Sequence, residues 1–140
     1  MTTKAILQRA KATLLETGIT DGCLVRDTPD GRCYCSLGAL ALASGHTVIP
    51  DPNDGLDILF GYPSLTFNTC TDGSYNQLSA LPAVQALART IDPMKAARPE
   101  AETDGSWLAI IVSSFNDSNV INGKTQRIFD VFDEAIASLD

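Results

Sequence analysis

Between residues 36 and 45 the chain reads SLGALALASG, a run that is apolar on every face and closed by Gly45. A helix with no polar side belongs in an interior, so this segment predicts a central helix with the rest of the chain packed around it. Its longest apolar stretch, LGALALA, is far short of the roughly 18 residues that a membrane span requires. Protein, not lipid, is expected to cover it.

The flanking segments supply that cover. A first helix is expected over Thr3–Thr17, with Ile6, Leu7, Ala10, Leu14 and Leu15 forming its apolar stripe and Gly18 ending it. CLVRD and RCYC read as the arms of a hairpin around TPDG, where Pro29 presets φ and Gly31 takes the left-handed position. Pro82 suits the first turn of another helix, Pro82–Ile91, which turns Val84, Leu87, Ala88 and Ile91 inward. Residues 92–105, DPMKAARPEAETDG, read as a linker. Asp104 or Ser106 can then cap a helix whose inward face is Trp107, Ile110, Ile111 and Ser114 or Phe115. That helix is expected to end at NDSN, where short polar side chains compete for backbone bonds.

A last helix over residues 125–139 places Ile128, Phe132, Ala135, Ile136 and Leu139 on one face. Lys124 and Arg127 at its start, and Asp133, Glu134 and Asp140 at its end, oppose its dipole at about 0.3 kcal/mol each. Burying a large apolar side chain contributes about 1.5–3 kcal/mol, so packing decides in favour of the helix. Five Asp-Gly pairs, beginning at 21, 30, 54, 72 and 104, mark turns or caps. Residues 46–76 carry Phe60, Tyr62, Phe67 and Tyr75 among prolines and turns, the pattern of a packed irregular excursion with the aromatics on short extended pieces. At 140 residues the chain is long enough for one core. The expected fold is therefore mainly α: a single compact domain, residues 1–140, of about four to five helices with a small β-hairpin and a long irregular middle excursion.

A net charge of −7 argues against binding to nucleic-acid phosphates. No Lys or Arg lies between Arg32 and Arg89, but Asp51, Asp54, Asp57 and Asp72 are too sparse there for a phosphate mimic. In MTTKAILQRAKATLLE the charges at Lys4, Arg9 and Lys11 interrupt any signal-peptide core, so a soluble, cytoplasmic protein with no membrane partner is expected.

Four cysteines (23, 33, 35 and 70) and the single His46 are the obvious chemical candidates. Cys33 and Cys35 lack the C-x₂₋₄-C spacing of structural zinc sites, and about 15 Å of helix stands between Cys35 and His46. No metal or cofactor is expected. There is neither a G-x-S-x-G elbow nor a phosphate-binding loop, and any Cys–His pair must use His46. DPNDGLD fails as a calcium loop: counted from Asp51, glycine is fifth and the twelfth residue is Tyr62. Asp130 and Asp133 lie opposite the apolar stripe, on a solvated face. Asn116 and Asp117 either satisfy orphan backbone groups where two helices meet or form a polar pair at a pocket mouth.

Two stretches carry a resemblance. CSLGAL, residues 35–40, resembles the C-x-x-G-A-L element of a family of small uncharacterised proteins from actinobacteria and their phages. SSFNDSNVINGKTQRIFDVFDEAI, residues 113–136, is similar to that family's second element, an aromatic-Asn-Asp triplet followed past a Thr by a helix of the form F-D-x-A-I. Tyr34 and Phe115 stand where the family commonly has Trp. The resemblance implies a compact, phage-encoded accessory domain with Cys35, Gly38, Asn116 and Asp117 at defining positions, and it brings no activity with it. Gly38 would let another backbone approach the central helix, Cys35 would plug the helix start, and Asn116 and Asp117 would tie the last helical hairpin to it.

The expected function is a non-enzymatic protein-binding module acting on a host or cellular protein. The alternative is a small-ligand-binding protein or minor hydrolase using Cys35 or His46 with Asn116 and Asp117. Candidate binding residues are thus Cys35, His46, Asn116 and Asp117. A homodimer that buries part of the aromatic segment is a further possibility.

Overall fold

In the computed structural model, which describes residues 1–49, 66–68 and 72–139, helix α1 (Thr3–Thr17) begins at Thr2, whose hydroxyl accepts the Ala5 N–H at 3.1 Å. It ends at Gly18, where φ is +84°. Leu7, Ala10 and Leu14 are its buried face. Leu15, expected in the same stripe, lies about 100° round the helix from Leu14 and is 63 % exposed.

Strands β1 (Val25–Thr28) and β2 (Gly31–Tyr34) form the antiparallel hairpin, in register Val25 with Tyr34 and Thr28 with Gly31. Ile19 adds a parallel bridge to Tyr34, and the Thr20 N–H donates to the Tyr34 carbonyl at 3.0 Å. The chain leading out of α1 is therefore pinned to the second arm of the hairpin.

Helix α2 (Ser36–Ala43) follows and lies inside the molecule: all its residues except Leu42 are buried. Helices α1, α4 (Pro82–Ile91) and α7 (Trp107–Ile121) and strand β2 pack against it. β3 (Thr47–Ile49) pairs in parallel with β4 (Thr66–Asn68), a connection the irregular middle did not suggest. Phe60, Tyr62, Cys70 and the DPNDGLD turn lie outside the described residues.

Helix α3 (Asp72–Ser79) was not expected. It packs on α7, and the Tyr75 and Ser113 hydroxyls are hydrogen-bonded at 3.1 Å. Helix α4 (Pro82–Ile91) has the predicted bounds and buries Ala83, Val84, Leu87 and Ala88. The expected linker instead winds into two single turns, α5 (Pro93–Ala96) and α6 (Glu100–Thr103). Asp92 caps α5 by accepting the Lys95 N–H, and the Trp107 indole donates to the Lys95 carbonyl at 2.8 Å. Those bonds seat the segment against α7.

Helix α7 (Trp107–Ile121) departs most from expectation. It runs straight through NDSN, and its buried residues are Ala109, Ile111, Val112, Asn116 and Asn119. Trp107, Ile110 and Phe115 are only half-buried, and Ser114 is exposed. The polar side chains do not break the helix because they bond within it or into the core. Asn119 Nδ2 donates to the Phe115 carbonyl and Asn122 Nδ2 to the Ser118 carbonyl, each at 2.8 Å. Neither Asp104 nor Ser106 caps α7. Asp104 instead accepts from the Ser106 N–H and hydroxyl, which hold its carboxyl below the usual carboxylate range. The cap comes from another helix: Ser79 Oγ at the end of α3 accepts the Ala109 N–H at 2.9 Å.

Helix α8 (Thr125–Ser138) buries Ile128, Phe132 and Ala135 as its stripe predicts, while Leu139 lies past its end and is 42 % exposed. Asp133 reaches Lys11 of α1 at 2.5 Å, and Asp130 and Asp133 stay on the solvent side. Together these elements make a mainly helical single domain with a small two-stranded hairpin.

Candidate functional site

The polar centre of the molecule is the start of α2. A helix buried at its N-terminus must find partners for amide groups that have none within the helix. Cys35 occupies the N-cap in extended conformation, and its Sγ accepts the Gly38 N–H at 3.4 Å. The first helical residue, Ser36, is served from α7: Asn116 Oδ1 accepts its backbone N–H at 3.0 Å and its hydroxyl at 2.7 Å. The Asn116 amide nitrogen donates to the Thr20 carbonyl at 3.0 Å and to Asp117 Oδ1 at 3.2 Å. Asp117 Oδ1 also accepts the Gly22 N–H at 3.1 Å.

One fully buried asparagine thus joins three segments far apart in sequence: the turn after α1, the start of α2 and the middle of α7. An asparagine suits this position because its amide presents an acceptor and a donor side by side. It needs no charge in the interior.

Packing is as tight as the bonding. The Cys35 N–H donates to the Leu24 carbonyl at 3.0 Å, which draws the lead-in to β1 across the first turn of α2. A Cβ built on Gly38 would stand 2.0 Å from that same carbonyl oxygen, so the position admits no side chain.

Cys35, Asn116 and Asp117 are therefore gathered in one place, with Ser36, Thr20 and Gly22 as their partners. Ser36 carried a signal as a hydroxyl residue opening an apolar helix and Gly22 as half of an Asp-Gly turn, whereas nothing in the sequence marked Thr20. His46 is not with them. It follows Gly45 at the opposite end of α2, eight residues or about 12 Å of helix away, and its N–H donates to the Ala41 carbonyl at 3.1 Å. Asn116 and Asp117 lie in mid-helix, not at a helix junction, and what they satisfy is the start of α2 and the Gly22 turn.

Burial pushes the Cys35 thiol up from 9.0 to about 12, against the lowering effect of the Gly38 and Leu37 amides, with small further increases from Asp117 and Cys23. A thiol that keeps its proton at neutral pH is a poor nucleophile and a poor metal ligand. Among the described residues no three His, Cys, Asp or Glu side chains come together where an ion could sit.

Two results are expected. Alkylation of the native protein modifies the half-buried Cys23 and Cys33 while Cys35 waits for unfolding, as peptide mapping will read. In the unfolded chain Cys35 ionises near pH 9, whereas the fold holds the proton to about pH 12. Stability is thus unaffected by this group below pH 9 and falls as pH rises from 9 toward 12. Urea titrations across that range will show a shallower alkaline decline in Cys35→Ala.

The surface carries one further feature. Between the end of α1 and the start of α8 an open apolar pocket of about 210 Å³ is lined by Leu14, Leu15, Gly18, Ile19, Thr125 and Phe129. Leu15 stands at its edge with most of its side chain in solvent. Among the described residues no helix is long and apolar enough to cross a membrane.

No curated protein and no solved structure matches the chain. A family model does match it, over residues 1–138, so that α1 through α8, and with them every residue of the Asn116 centre and of the pocket, fall within the match. The chain belongs to that family, a family of unknown function (DUF6197).

Proposed function

We propose that the protein is a non-enzymatic binding module whose partner is a host or cellular protein, acting in a cytoplasm and in the phage setting that the resemblance implies. One observation carries this reading: Leu15, 63 % exposed, stands beside an open apolar pocket at the α1–α8 edge. Exposed apolar side chains around a recess are what a partner's anchoring residue seeks. In this reading Cys35, Asn116 and Asp117 serve the partner only by holding α2, the Gly22 turn and α7 in place. His46, half-buried beyond the other end of α2, stands apart from them.

The test compares wild type with Leu15→Glu, whose exposed position makes the substitution tolerable to the fold. A protein recovered in stoichiometric amount from bacterial lysate by wild type, and bound about tenfold or more weakly by Leu15→Glu at unchanged melting temperature, supports the proposal. Failure of wild type to recover any stoichiometric partner overturns it, as does a partner indifferent to Leu15→Glu. Light scattering identifies the case in which the partner is a second copy of the chain.

A further inference from the structure

Asn122 is the only asparagine in the chain that is followed by glycine. It closes α7 as an exposed residue, and Gly123 turns the chain toward α8 with φ at +70°. An asparagine side chain next to an unhindered backbone nitrogen has a reaction open to it that needs no enzyme. The nitrogen of the following residue gives up its proton and forms a C–N bond to the side-chain amide carbon; that carbon's bond to the side-chain nitrogen then breaks, and ammonia leaves with the proton, so that a five-membered succinimide remains. Water then opens the ring at either carbonyl, giving aspartate or isoaspartate. Glycine obstructs that attack least, and around Gly123 the space a Cβ would take is open.

Hydrogen bonds restrain both reacting groups in the fold. Asn122 Nδ2 donates to the Ser118 carbonyl at 2.8 Å and, at the longer distance of 3.5 Å, to Ser118 Oγ, and the Gly123 N–H donates to the Val120 carbonyl at 3.1 Å. We propose that Asn122 is a site of spontaneous, water-driven deamidation whose rate is set by these bonds. The inference stands independently of the binding reading.

Deamidation would undo its own restraint. The new carboxylate has no N–H to give the Ser118 carbonyl, and it places negative charge at the negative end of the α7 dipole. Isoaspartate also adds a methylene to the backbone of the turn that leads to Thr125, a residue of the surface pocket.

The experiment ages the full-length chain at mildly alkaline pH, native and in urea, and maps peptides by mass with fragmentation that separates aspartate from isoaspartate. The expected result is a gain of one dalton at Asn122 ahead of every other asparagine. With these hydrogen bonds to break first, the gain should be about tenfold or more faster in urea. Asn122→Gln should abolish it. Asp-Gly pairs pass through the same ring without a change in mass and so are told apart. No gain at Asn122 in the native chain, earlier gain at another asparagine, or equal rates with and without urea would each overturn the proposal.

Discussion

Asn116→Ala is expected to lower the melting temperature by about 10 °C, a loss of roughly 3 kcal/mol or more. The alanine leaves the Ser36 N–H, the Ser36 hydroxyl and the Thr20 carbonyl without their partner in a region closed to water. Each stranded group costs about 1–3 kcal/mol, far above the net worth of an ordinary hydrogen bond. Asn116→Asp separates the two halves of the amide. Its carboxylate can still accept from Ser36, but it offers no hydrogen to Thr20 and adds a buried negative charge next to Asp117. That variant should be at least as damaged as Asn116→Ala at neutral pH and recover part of its stability in acid, where protonation removes the charge. Thermal unfolding followed by circular dichroism measures both. A loss below about 1 kcal/mol for Asn116→Ala would mean that water or rearrangement replaces the amide.

Gly38→Ala is the second large effect, and its sign reverses the usual rule. Within a helix, alanine is favoured over glycine by about 1 kcal/mol. Here the new methyl would meet the Leu24 carbonyl oxygen at 2.0 Å and its carbon at 2.8 Å. Both atoms are backbone, and neither can rotate away. Relief requires the Leu24 strand lead-in to separate from α2, which breaks the bond from the Cys35 N–H to that same carbonyl. A net loss of about 3 kcal/mol or more is expected, at the upper end of overpacking costs. Urea denaturation of Gly38→Ala beside wild type checks it, and an unchanged midpoint would mean that the close approach of the two segments is not needed for the fold.

The parts of the structure that were legible in the sequence are those whose signal is local. α8 declares itself by a stripe, α4 by Pro82 and its following apolar residues, and α2 by having no polar face at all. What was hidden depends on partners distant in sequence. α7 read as stopping at NDSN because Asn, Asp and Ser usually draw the backbone out of a helix. They fail to do so here because the Asn116 side chain is engaged by Ser36 and Thr20, and Asn119 and Asn122 turn back on their own helix. α3 was missed because DGSYNQLS carries little apolar periodicity, and its helix is held by contact with α7. The linker reading of residues 92–105 missed that Pro93 can start a turn as well as end one and that the Trp107 indole fastens it. At the Asn116 centre, Cys35, Asn116 and Asp117 could be singled out, but nothing local ties residue 116 to residue 36.

That tie has a bearing on how the molecule comes into being. Ser36 and Asn116 are 80 positions apart, and Thr20 and Asn116 are 96 apart. A ribosome releases α2, apolar on every face, long before it has made the residue that completes that helix's first turn. Until then the nascent polypeptide carries an apolar segment whose leading amide only water can satisfy, and closing so long a loop is slow. Birth, more than maturity, is when this protein is exposed to misassociation, and one late asparagine ends that interval.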